Sequence, residues 1–137
     1  MRTQRVLAAA VFALVMICPM FSPVVSAHHS RAGYDSNDKE TMLKGVVTEY
    51  KWRNPHVFIV WGVKDNNGKV VQWTGELSSL TTMLSEGMTR DSVKVGDEII
   101  VTAIPAKGGL PQSLIRKVVK PDGSIVVDMT RRNIREP

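Results

Sequence analysis

From Thr41 onward, apolar and polar positions alternate with a period of two. In "TMLKGVVTEYKW" (Thr41 to Trp52) this sets Val46, Thr48, Tyr50 and Trp52 on one side of a strand, with Gly45 at a point where the strand can bend sharply. After Arg53-Asn54-Pro55, the β-branched and aromatic run His56 to Val63 predicts a second strand. "KDNNGK" supplies an Asn-Gly turn, and Val70 to Leu77 resumes as a third strand, so these two form a hairpin. The period then changes. In "SSLTTMLSEG", Ser78 or Ser79 caps a short helix, Leu80, Met83 and Leu84 form a core-facing stripe, and Gly87 ends it. A turn with Gly96-Asp97 leads into a strand within Val93 to Ala106. Gln112 to Lys120 gives another, and Ile125 to Met129 a last short one.

The fold expected is all-β with one short helix. Three strands, a helix and two strands are the order of an OB-fold-like five-stranded Greek-key barrel, spanning residues 41–129. Strand count does not fix topology, so an SH3-like or other small barrel is the alternative. A basic tail occupies 130–137.

The first 27 residues have a different pattern. Arg2 and Arg5 precede the unbroken apolar run Val6 to Cys18, Pro19 and Pro23 break the segment after it, and Val25-Ser26-Ala27 carries small residues suited to signal peptidase. This is the layout of a secretory signal, and the run is short for a membrane span of ~20 residues. A retained anchor is the alternative. Cleavage after Ala27 yields a periplasmic or secreted chain without a membrane span, beginning with a flexible arm at 28–40.

Processing also changes the charge balance. The full sequence has a net charge of +5. Arg2 and Arg5 leave with the signal, so 16 basic residues face 13 acidic ones, and much of the remaining surplus lies in "RRNIREP". A near-neutral body argues against nucleic acid as a partner. Cys18, the one cysteine, leaves as well, which removes disulfide and thiolate chemistry from the mature chain.

Processing places two of the three histidines, His28 and His29, at the start of the mature chain. A first-position His28 offers an α-amine and its own imidazole as a chelate, and His56 can add a second imidazole. Three nitrogens of this kind suit Cu(II). The amine titrates near ~8 and imidazole near ~6.5, so deprotonation is cheap at neutral pH. Cleavage one residue earlier would instead put His29 third, behind Ala27 and His28, which is also a Cu(II) chelator. Pro55 holds Asn54 extended and starts the second strand, which puts His56 at a barrel rim. The arm of a dozen residues reaches a rim ~20 Å away at ~3.3 Å per residue. Tyr34, Asp35 or Glu49 could supply an oxygen ligand. Zinc fits less well, because no fourth strong ligand is evident.

The combination of "HHS" after the signal, Tyr34-Asp35, Leu43-x-Gly45-x-Val47, Trp52-x-Asn54-Pro55-His56, a tryptophan in the third strand and Val93-x-Val95-Gly96-Asp97 resembles the small exported bacterial proteins grouped as DUF6152. The resemblance covers the mature chain. It implies a fold and a compartment, and no mechanism.

The remaining residues offer little catalytic chemistry. There is no Gly-x-Ser-x-Gly motif, phosphate loop or paired zinc helix motif, and Glu49, Glu76 and Asp97 fall where solvated carboxylates are expected. Trp61 lies opposite His56 and Phe58 by parity, so one of these faces is interior, and core packing is the expected role of most of the tryptophans. Trp52, Asn54, Tyr34 and Asp35 are the candidates to line a small pocket beside His56. The sequence therefore supports a binding protein and not an enzyme. Either it holds copper through His28, His29 and His56, or it is a metal-free barrel module that docks an envelope protein or a small ligand.

Overall fold

The computed structural model describes residues 33, 34 and 39–131. Its organising element is β1 (Thr41–Lys51), which serves two neighbours in turn. Its first half pairs antiparallel with β4 (Glu98–Pro105), from Thr41↔Ala103 to Val46↔Glu98. Its second half pairs antiparallel with β2 (Phe58–Lys64), from Val46↔Gly62 to Lys51↔Phe58. The handover falls at Gly45. A Cβ there would stand 2.2 Å from the Gly62 carbonyl oxygen and 2.9 Å from Trp61 Cδ1, so only glycine allows the strands to approach this closely.

β2 and β3 (Val70–Glu76) form the expected hairpin, paired from Phe58↔Glu76 to Lys64↔Val70. Its turn is held by Asp65, whose Oδ1 accepts from the N–H groups of Asn67 and Lys69 at 2.8 and 2.9 Å. β5 (Gln112–Val119) lies antiparallel to β4 and parallel to β3, from Thr74↔Gln112 to Glu76↔Leu114, which closes the five-stranded barrel. β6 (Ile125–Asp128) adds to β5 outside that closure.

The chain is thus mostly β with one short helix, as its alternation predicts. Closure places Val47, Val57, Ile59, Trp61, Ile99, Val101, Ile115 and Val118 inside, where full burial of each large apolar side chain stabilises by about 1.5–3 kcal/mol. The interior face is therefore the one carrying Trp61, and His56 and Phe58 point the other way. Trp73 sits opposite Trp61 on the neighbouring strand, ring centroids 6.4 Å apart.

α1 (Leu80–Ser85) packs on the core through Met83 and Leu80. Ser79 caps it by accepting from Thr82 N–H at 3.3 Å. Gly87, at φ 82°, ends it, and Met88 N–H returns to the Met83 carbonyl at 2.9 Å. No helix among the described residues is long and apolar enough to cross a membrane.

Two sequence expectations change. The stripe Val46, Thr48, Tyr50, Trp52 does not share one face. β1 has a bulge between Val47 and Glu49, where the register against β2 shifts by a residue. An extra residue reverses the alternation, so Val46 and Thr48 face outward while Tyr50 and Trp52 pack against the core. On α1, Met83 is fully buried and Leu80 packs against the core, but Leu84 is 57% exposed. Leu84 stands about 100° around the helix from Met83, so a face centred on Met83 leaves it toward solvent.

Candidate functional site

The site gathers at the barrel end where the chain leaves β1 after Lys51 and enters β2 at Phe58. Val57 N–H donates to the Ser78 carbonyl at 3.0 Å and Leu77 N–H to the Val57 carbonyl at 2.8 Å, so the hairpin ladder continues past the formal start of β2. Val57 is fully buried. His56, one residue earlier, therefore emerges on the outer face, half-buried, with a side-chain exposure of 24%. The Asn54-Pro55 peptide bond just before it is cis.

The imidazole meets a carboxylate. His56 Nδ1 bonds Glu76 Oε1, and the Glu76 side chain is only 19% exposed. An ionised carboxylate only accepts, so Nδ1 carries the hydrogen, and in the neutral ring the lone pair then lies on Nε2. The second Glu76 oxygen accepts from the Tyr34 hydroxyl at 2.9 Å. Tyr34 belongs to the N-terminal arm, and its backbone bridges to Ala106, just beyond β4. Burial, then the hydrogen bond and the charge of Glu76, push the phenol up to about 12, so it remains a neutral donor throughout the physiological range. One carboxylate thus ties the arm to the rim histidine.

Several sequence candidates fall elsewhere. Asn54 Oδ1 accepts from Leu80 N–H at 3.4 Å, at the start of α1. Trp52 packs on Tyr50, ring centroids 5.9 Å apart, and the Tyr50 hydroxyl donates to the Thr89 carbonyl at 2.9 Å. Burial raises the Tyr50 phenol above its ordinary range. Glu49 pairs with Lys51 at 3.1 Å. His28, His29 and Asp35 lie outside the described residues, as do residues 1–27 and 132–137. Among the described residues, no three His, Cys, Asp or Glu side chains cluster closely enough to hold a metal ion. Any such site therefore needs donors beyond His56 and Glu76.

Glu76 corrects the sequence reading, which expected a solvated carboxylate there. Its position was nevertheless encoded. Counting back from the Asn67-Gly68 turn, the pair Lys64↔Val70 propagates to Phe58↔Glu76, and on that face the diagonal neighbour of Glu76 is His56. Diagonal neighbours on one sheet face are within reach of long side chains.

A family model described as "Family of unknown function (DUF6152)" matches residues 17–115, a span that includes all three histidines, Tyr34 and Glu76. No curated protein and no solved structure matches the chain.

Proposed function

The chain belongs to DUF6152, and from that premise we propose that it is an exported binding protein that takes up Cu(II). Processing after Ala27 would give it a periplasmic or secreted location and a free amine on His28. The amine and imidazole of His28, with His29 beside them, would meet His56 Nε2 at the barrel rim. The strand order, with its helix between β3 and β4, supports an OB-fold as the scaffold.

The observation that carries this reading is the chain of contacts from Tyr34 through Glu76 to His56. Tyr34 stands six residues after His28, and at ~3.3 Å per residue those six cover ~20 Å. Anchoring of Tyr34 at the rim supports this reading, because an arm fixed there would let His28 and His29 reach the rim imidazole. The bond from His56 to Glu76 is also the kind of second contact that fixes a metal-ligating histidine's tautomer and ring orientation. The chemistry proposed is binding, for transfer or buffering of the ion, since the chain carries no recognisable nucleophile or phosphate-loop motif.

The test is a Cu(II) titration of protein exported and processed by a bacterial host, with its first residue identified by mass spectrometry. Placing one extra residue before His28, or changing His56→Ala, is expected to weaken binding by orders of magnitude. Glu76→Gln is expected to weaken it by roughly 10-fold to 100-fold, as loss of such second contacts does. Equal affinity in all forms would overturn the copper reading and favour a metal-free module that docks an envelope protein or small ligand.

A further inference from the structure

On the outer face of the barrel, far from His56, β1, β2, β3 and the start of β4 enclose a groove of about 480 Å³. Its volume falls within the range of about 300–1,000 Å³ typical of small-molecule sites. It exists because of Gly62, in the middle of β2. Glycine inside a strand costs roughly 0.5–1 kcal/mol relative to alanine, and Gly62 has no left-handed backbone to justify it. A Cβ at Gly62 would project into the groove, 2.8 Å from Val70 Cγ1 and 3.4 Å from Gln72 Nε2. Glycine at such a point marks close approach by another group.

The lining combines an apolar body with cationic ends. Val46 and Val70, 41% and 51% exposed, stand on either side of the Gly62 gap. Gln72 Oε1 accepts from Thr48 Oγ1 at 2.9 Å, which commits the oxygen and leaves the amide nitrogen toward the gap. Lys44 lies 3.7 Å from Glu98, an exposed and weak pairing. Lys64 has no ion-pair partner among the described residues. The groove therefore offers apolar contact, an amide donor and one uncompensated ammonium.

We infer that this groove binds a small organic monocarboxylate, its apolar body lying over Gly62 between Val46 and Val70 and its carboxylate directed to Lys64. The groove is independent of the proposed copper site, because Lys64 lies eight residues along the chain from His56, at the turn end of the hairpin.

The test is a titration of the purified chain with octanoate, monitored by amide shifts in two-dimensional NMR, with octanol as the uncharged counterpart. Octanoate is expected to shift the amides of Val46, Gly62, Lys64 and Gln72, and to bind more tightly than octanol. Gly62→Val, which fills the gap, is expected to abolish these shifts. Lys64→Glu changes only an exposed side chain and leaves the fold intact, and it is expected to weaken octanoate by tenfold or more. Shifts scattered over the surface, equal binding of octanol, or unchanged binding in Lys64→Glu would each overturn the proposal. Cu(II) should leave these four amides unmoved whether or not it binds at the other end.

Discussion

Gly45 on β1 and Gly62 on β2 lie one register step apart, since Gly62 pairs with Val46, and the same substitution should have very unequal consequences at the two. At Gly45 an added methyl meets backbone: the Gly62 carbonyl oxygen at 2.2 Å and its carbon at 2.9 Å. Restoring ordinary contact requires β1 and β2 to part by about 1 Å where the Val46↔Gly62 pair begins. Overpacking of this kind costs about 1–3 kcal/mol, and one or two weakened ladder hydrogen bonds add about 1 kcal/mol each. Alanine recovers only about 0.4–1 kcal/mol by restricting the unfolded chain. Gly45→Ala is thus expected to destabilise by about 2–4 kcal/mol. For a domain of this size that lowers Tm by roughly 10–25 °C. At Gly62 the nearest atom is the tip of the Val70 side chain, which is half exposed and can rotate away. Gly62→Ala should therefore stay within about 1 kcal/mol of the parent. Urea and thermal unfolding of the two variants side by side provide the assay. If Gly45→Ala unfolds within about 1 kcal/mol of the parent, the close approach at the handover is not what requires glycine there.

The helix provides a second contrast. Met83→Ala removes a fully buried side chain and is expected to cost about 2–5 kcal/mol, whereas Leu84→Ala, at an exposed position, should change stability by less than about 0.5 kcal/mol in urea unfolding. A third prediction concerns pH. The Thr130 hydroxyl, then its N–H and Lys117 at 3.2 Å, hold the Asp128 carboxyl below its ordinary range against some opposing burial. Because the folded value is depressed, this stabilisation is fully present above the ordinary carboxylate range and is lost as pH falls through the folded value. Asp128→Asn should therefore remove part of the acid dependence of unfolding free energy, most visibly between neutral solution and solution acidic enough to protonate ordinary carboxylates.

The hairpin, the helix cap at Ser79 and the special role of Gly45 were legible in the sequence because each rests on local chemistry: an Asn-Gly turn, a hydroxyl acceptor and a missing side chain. The bulge in β1 was not, since nothing in "GVVTEYKW" distinguishes an extra residue from continued alternation. Its effect was to split Val46 and Thr48 from Tyr50 and Trp52. Glu76 was missed for another reason. A glutamate at a strand end is ordinarily solvated, and its pairing with His56 emerges only when the register is carried along the whole hairpin from the turn. The contact of Tyr34 with that same carboxylate joins residues 42 positions apart and depends on closure of the barrel, which no local pattern announces.

The parallel seam between β3 and β5 has a consequence for how the chain matures. The first three strands can form a meander as soon as residue 76 is available, but the interior side of Trp61 and Ile59 stays uncovered until β4 and β5 arrive. A chain delivered from its N-terminus, whether by a ribosome or through a translocon, must carry that open apolar sheet across some forty further residues before the last wall exists. The period of greatest exposure to aggregation thus comes late, and a truncation anywhere before β5 leaves an unsealed cup instead of a smaller version of the protein.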